Sequence, residues 1–239
     1  MDKRQFLSMV DHTILKANAT KEKVDKVLGF AKENSVASVC INPYYVKYAS
    51  EYLKGTGVKI CTVIGFPLGQ NTKEVKIFET KDAIKNGADE IDMVINIVAL
   101  KDKNYDYVKN EIKEIYLTVS WHRKLLKVII ENAYLTKEEK IKVCEICKEI
   151  GVDFVKTSTG FADTGAIASD VKLMKEVVGS TCKIKAAGGI KNKKDVDELY
   201  LAGARRFGVS RTEDILKEFW YTIFFRNKRM HISWLVSTN

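Results

Sequence analysis

Two lysines stand inside otherwise apolar strand-like runs of this 239-residue chain. One lies in Asp153-Phe154-Val155-Lys156-Thr157-Ser158-Thr159-Gly160, the other in Lys183-Ile184-Lys185-Ala186-Ala187-Gly188-Gly189. A lysine in a core strand is costly unless it is paired or neutral, so each needs a reason. Lys156 and Lys185 are 29 residues apart, about one strand–helix–strand unit, so both could enter one pocket. Two ammonium groups in a partly desolvated pocket disfavour each other's charge, and one pKa falls. A fall from about 10.4 to roughly 7 costs about 4–5 kcal/mol. The product is a neutral amine that can attack a carbonyl.

Such chemistry also needs a carboxylate to move protons, and Asp92, in Glu90-Ile91-Asp92-Met93-Val94-Ile95-Asn96, is the buried-strand candidate. Schiff-base catalysis is one reading of these residues. The other is an internal ion pair, Asp92 with one lysine, that only fills a core. Lys127, in Leu125-Leu126-Lys127-Val128-Ile129-Ile130-Glu131, and Lys183 also sit in strands. Parity cannot separate Lys183 from Lys185, because both project to the same face.

The elements that must position these groups alternate along the whole chain. Strands are expected at His12–Leu15, Ala37–Ile41, Val58–Ile64, Glu90–Asn96, Leu125–Glu131, Phe154–Thr157, Lys183–Ala187 and Arg206–Val209. Helices are expected at Lys21–Glu33, Tyr44–Leu53, Thr72–Asn86, Tyr105–Val119, Lys137–Ile150, Ser169–Val178, Lys193–Ala202 and from Thr212 onward. Thr136 followed three residues later by Glu139 is a capping-box signature. Eight strand–helix units predict a single-domain α/β protein, a (β/α)8 TIM barrel over residues 1–216, with 217–239 as the end of the last helix and an atypical tail. An open doubly wound sheet would usually carry GxGxxG after its first strand, and none is present.

In a barrel the working face lies where strands end and βα loops begin. Gly188-Gly189 follows the seventh strand, and Phe207-Gly208-Val209-Ser210 closes the eighth. Those loops are the usual barrel phosphate site, where backbone N–H groups and a helix N-terminus meet the anion.

The charge balance, 40 basic against 31 acidic residues for +9, suits a phosphorylated metabolite, nucleic acid or an anionic membrane. The lysines are dispersed without a dense run, which disfavours nucleic acid. No apolar run approaches the ~20 residues of a membrane span, and Met1-Asp2-Lys3-Arg4-Gln5-Phe6 lacks a signal-peptide core. A cytoplasmic protein is expected. Five cysteines, an odd number, fit a reducing compartment better than a disulfide framework. Cys144-Glu145-Ile146-Cys147 is a lone CxxC in a helical pattern and reads as two packed helix residues rather than a zinc or redox site.

The pattern resembles the deoxyribose-phosphate aldolase family, class I aldolases of the TIM-barrel type. Carrying the likeness are Asp11-His12-Thr13, Ser38-Val39-Cys40-Ile41, Thr62-Val63-Ile64-Gly65-Phe66-Pro67-Leu68-Gly69, the strands around Asp92 and Lys127, Lys156-Thr157-Ser158-Thr159-Gly160 and Lys185-Ala186-Ala187-Gly188-Gly189-Ile190. They run in order from about residue 8 to 216.

The resemblance implies that Lys156 forms the Schiff base, that Lys185 lowers the pKa of Lys156, and that Asp92 shuttles protons. It implies that Thr157, Gly160, Gly188, Gly189, Gly208 and Ser210 surround a phosphorylated sugar, with Asp11 and Cys40 as further pocket positions. The implied reaction cleaves 2-deoxy-D-ribose 5-phosphate to D-glyceraldehyde 3-phosphate and acetaldehyde, with Asp92 and Lys185 taking the C3 hydroxyl proton through a water. No metal or organic cofactor is implied, since the iminium is the electron sink, and His12, His122 and His231 show no ligand spacing. The implied pathway is nucleoside catabolism. A homo-oligomer is expected, a dimer first, with no nucleic-acid or membrane partner.

Residues 217–239 depart from the family. They are rich in aromatics and hold four basic residues and one acidic, +3 of the net +9. An extension of the last helix packing on the barrel or on a second subunit is the preferred reading. A membrane or nucleic-acid patch and a terminus without function are the others. For the whole chain, the rivals are another class I barrel aldolase with a different phosphorylated aldehyde, and a basic binding protein that lost catalysis.

Overall fold

The computed structural model describes residues 1–219. Eight parallel strands close into a barrel in chain order: β1 (Val10–Ile14), β2 (Ser38–Ile41), β3 (Lys59–Ile64), β4 (Glu90–Val94), β5 (Leu125–Ile129), β6 (Phe154–Lys156), β7 (Lys183–Ala187) and β8 (Ala204–Val209). Closure is made by β1 on β8, with Asp11 opposite Gly208 and His12 opposite Val209. The expected single-domain (β/α)8 barrel is the fold found.

Outside the strands lie α1 (Lys3–Leu7), α2 (Lys21–Asn34), α3 (Val46–Tyr52), α4 (Lys73–Lys85), α5 (Ile97–Lys101), α6 (Tyr105–Trp121), α7 (Lys137–Ile150), α8 (Ala168–Val178) and α9 (Lys193–Ala202), then a helical segment over 212–219. Local sequence explains many boundaries. The Thr136 side chain accepts from the Glu139 N–H at 3.3 Å while Glu139 accepts from the Thr136 N–H at 2.8 Å, so the capping box forms at the head of α7. The last helix beyond 219, and with it the preferred reading of the tail, lies outside the described residues.

Several expected boundaries are corrected. The expected strand to Asn96 ends at Val94, because the Asn96 side chain turns back to accept from the Ala99 N–H at 3.0 Å and starts α5. The expected strand to Glu131 ends at Ile129, because Glu131 adopts left-handed backbone (φ 51°) ahead of a 3-10 turn. Pro43 opens a 3-10 turn, so the helix expected from Tyr44 starts at Val46. Neither α1 nor α5, each five residues long, is visible in the sequence period. α1 seats Phe6 in the core, its ring 5.4 Å from Phe219 and 6.4 Å from Phe207.

Aliphatic side chains fill the layer between strands and helices, including Leu28, Ile91, Ile112, Val128, Val155 and Leu199. One buried charge pair also lies there. Lys76 of α4 donates to Glu111 of α6 at 2.7 Å and to the Val94 carbonyl at 2.8 Å, and the other Glu111 oxygen accepts from the Asn96 N–H. This pair clamps the end of β4, two residues beyond Asp92. Cys144 and Cys147 pack on the barrel side of α7, and burial pushes the Cys144 thiol up to about 12.

Candidate active site

Strand alternation turns one residue in two toward the barrel axis, and here the inward positions hold a column of charge. Asp92 on β4 is at its centre. Its Oδ2 accepts from Lys156 of β6 at 2.7 Å and Lys185 of β7 at 2.6 Å, and its Oδ1 accepts from Lys127 of β5 at 2.8 Å. All four side chains are buried. The alternative of Asp92 with a single lysine is therefore replaced by a carboxylate shared among three.

Asp11 on β1 lies beside this centre. It pairs with Lys185 and with Arg206 of β8, and it accepts from Ser38 at 2.7 Å. Arg206 also grips Glu90 through one nitrogen, at 2.5 and 2.6 Å, and Glu90 meets Lys127 at 2.6 Å. Burial alone would push the Asp11 carboxyl up, but Lys127, Lys185 and Arg206 hold it below the usual carboxylate range. Asp92 is held down against burial by Lys127, Lys156 and Lys185. Burial would lower the Lys185 ammonium, yet Asp11 and Asp92 hold it above the ordinary lysine range. Lys127 is likewise kept up by Asp11 and Asp92.

Above the column a cavity of about 570 Å³ opens at the C-terminal ends of the strands, a size suited to a small metabolite. Lys156, Gly160, Gly188, Gly189, Gly208 and Ser210 line it. Lys156 is the only one of the three lysines around Asp92 to reach that lining. Lys185, Asp92 and Asp11 lie behind it, fully buried. Thr157 is turned into the wall, where its hydroxyl donates to the Ala187 carbonyl and accepts from the Ala187 N–H at 3.1 Å. Cys40 is buried opposite Cys61 in the β2–β3 register, also away from the lining.

Lys183 and Lys185 share parity but not depth. Lys183 opens β7 and is exposed, with its ammonium 5.7 Å from the Phe154 ring centre. Lys185, two residues further in, reaches the axis.

The Gly-rich wall depends on close backbone approach. The Ala166 N–H donates to the carbonyls of Ala187 and Gly188 at 3.1 and 3.0 Å. A Cβ on Gly165 would stand 2.2 Å from the Gly188 oxygen, and Gly188 itself has φ 82°, which favours glycine. Gly165 went unnoticed in the sequence because nothing local marks it as a neighbour of Gly188. Lys16 and Phe161 also line the cavity unanticipated. Both follow strand ends, which is the signal that could have found them.

Two trios, Cys40–Cys61–Asp92 and Asp11–Cys61–Glu90, come close enough to hold a metal ion. Their carboxylates already serve Lys127, Lys156, Lys185 and Arg206, so a cation would compete with ammonium and guanidinium groups for the same oxygens.

The arrangement presents one lysine to a metabolite-sized cavity, with a carboxylate and a second lysine in hydrogen-bond reach. That is the apparatus for amine attack on a carbonyl with proton transfer alongside. A sequence profile described as DeoC/LacD family aldolase matches residues 6–210. A deoxyribose-phosphate aldolase from Clostridium tetani is 56% identical over 214 residues, covering 90% of this chain and 99% of its own. Among solved structures, QR15, an aldolase, has a TM-score of 0.86 at 39% identity and covers 92% of this chain and 98% of its own. A tetrameric deoxyribose phosphate aldolase from Aeropyrum pernix has a TM-score of 0.84 at 29% identity, covering 91% and 92%.

Proposed function

The chain belongs to the DeoC/LacD family of aldolases, and from that premise we propose that it cleaves 2-deoxy-D-ribose 5-phosphate, reversibly, to D-glyceraldehyde 3-phosphate and acetaldehyde. The observation that carries this reading is Lys156, the lysine of the Asp92 cluster that lines the cavity.

Neutral Lys156 attacks C1 of the open-chain sugar, and the carbinolamine loses water to give an iminium. Asp92, in reach of both Lys156 and Lys185, takes the C3 hydroxyl proton with Lys185, through a water. The C2–C3 bond breaks as its electrons flow into the iminium, releasing D-glyceraldehyde 3-phosphate and leaving an enamine. Protonation at C2 and addition of water return acetaldehyde and the free amine. The phosphate end lies against Gly188, Gly189, Gly208 and Ser210, where backbone N–H groups can approach an anion closely. Gly160 completes that wall. Thr157 acts through the wall, while Asp11 and Cys40 act from behind the cavity.

The test is reduction with borohydride during turnover of 2-deoxyribose 5-phosphate, followed by peptide mapping. A two-carbon adduct on Lys156 is expected. An adduct on Lys185 or Lys183 keeps the aldolase and overturns the roles, and no adduct on folded protein overturns the reading.

A homo-oligomer, first a dimer, working in the cytoplasm in nucleoside catabolism completes the proposal. Five free, buried cysteines support a reducing compartment, and among the described residues no helix is long and apolar enough to cross a membrane. Light scattering on the eluting protein measures the subunit number.

A further inference from the structure

The charged column contains four cations, Lys127, Lys156, Lys185 and Arg206, and three carboxylates, Asp11, Glu90 and Asp92. Six of these groups are buried and Arg206 is mostly so, and they act on one another through little water, so the surplus of one positive charge matters. Lys127 touches all three carboxylates, and Lys185 is shared by Asp11 and Asp92. Arg206 holds Asp11 and, through two contacts, Glu90. Lys156 has Asp92 only, on the oxygen that Lys185 also occupies. Loss of a proton from Lys156 or from Lys185 would leave every carboxylate of the column at least two cationic partners. Lys156 gives up one ion pair and Lys185 two, however, so the proton of Lys156 is the one released at the smaller loss.

We propose that Arg206, remote from the cavity, is a positioning residue whose charge claims Asp11 and Glu90 and so makes Lys156 the supernumerary cation, tuning the pH at which the site becomes active. Glu90 is its counterweight. Neither lines the cavity, and Glu90 is the first residue of β4, toward the N-terminal ends of the strands. The influence passes from Arg206 through Asp11 to Lys185 and from there to Asp92.

Every strand contributes a group facing this column. Besides the seven ions, β2 supplies Cys40 and Ser38 and β3 supplies Cys61. A hydrogen bond from Cys61 lowers the Cys40 thiol, while burial raises that of Cys61. Just past β5, Glu131 also acts on Lys156, but burial raises its carboxyl and Thr159 occupies one of its oxygens. Cys40 and Glu131 are thus the two rivals for a fourth negative charge.

This inference rests on the aldolase reading, and the test separates the two. kcat/KM for 2-deoxyribose 5-phosphate is measured against pH in the full-length protein, with borohydride trapping on the wild type. Removing the guanidinium charge in Arg206→Gln should move the acid limb of the profile up by about one pH unit, the scale expected for charges acting through an effective dielectric of about 20. Glu90→Gln should move it down by a similar amount. The double variant restores the balance and should return the limb to within a few tenths of wild type, and it stays informative if Arg206→Gln does not fold. Arg206→Lys keeps the charge and should leave the limb in place while lowering kcat. Unmoved limbs, or shifts of the same sign for Arg206→Gln and Glu90→Gln, overturn the inference alone. It is likewise overturned if Cys40→Ser or Glu131→Gln moves the limb and the double variant does not restore it. A wild type that neither turns over nor traps overturns the aldolase reading and this inference with it.

Discussion

Lys156 and Lys185 donate to the same oxygen, Asp92 Oδ2, at 2.7 and 2.6 Å, while only Lys156 lines the cavity. One carboxylate therefore holds the amine that borders the cavity and the ammonium behind it in a common geometry. Two lysines 29 residues apart in the sequence thus meet on one oxygen, one at the cavity and the other behind it.

Asp92→Asn should be the most damaging conservative change. The amide retains the shape but leaves Lys127, Lys156 and Lys185 without their shared negative charge. Loss of a proton-transfer group lowers kcat by ~10²–10⁴, and leaving buried charges unpaired costs about 3–5 kcal/mol of stability. Steady-state kinetics and urea unfolding measure the two losses separately.

Gly165→Ala should damage substrate binding without unfolding the barrel. Its Cβ would collide with the Gly188 carbonyl, so the 187–189 segment lining the cavity must move. Displacement near 1 Å at a positioning wall can cost on the order of 10²-fold. Most of the loss is expected in KM for the phosphorylated sugar, with far-ultraviolet circular dichroism unchanged.

His12 should make the fold sensitive to mild acid. Burial lowers its pKa from 6.5 to about 4, against a backbone hydrogen bond at Val209 that raises it, and Nδ1 lies 2.9 Å from the Thr212 hydroxyl. The folded state binds the proton less well than the unfolded chain. Its stabilising share is therefore complete above pH 6.5, falls as pH drops through the interval to about 4, and levels off below it. The full span is on the order of 3 kcal/mol. The difference between wild-type and His12→Phe unfolding free energies should change across that window and be flat outside it.

Thr136→Ala should lower stability by about 1 kcal/mol through loss of the cap on α7. For a chain of this size the melting temperature is expected to fall by ~2–4 °C. Activity per folded molecule should be unchanged, because α7 contributes nothing to the cavity lining.

The alternation of strand and helix, the barrel and the cap at Thr136 were all legible in the sequence, because each rests on neighbours within a few residues or on a repeating apolar period. Lys156, Lys185 and Asp92 were legible as well, since charge in an apolar strand announces itself. Depth was not: Lys183 and Lys185 obey one parity rule, and only the tilt and closure of the barrel put the first in solvent and the second on the axis. The pairs Asp11–Arg206, separated by 195 residues, and Glu90–Arg206, separated by 116, exist because β1 closes on β8 and inward side chains then meet across the barrel. Lys76 with Glu111, and Gly165 beneath Gly188, are likewise products of packing between distant segments. Local preference chooses the elements, but distances across a closed barrel are set by all eight strands together, and the electrostatics of the site depend on those distances.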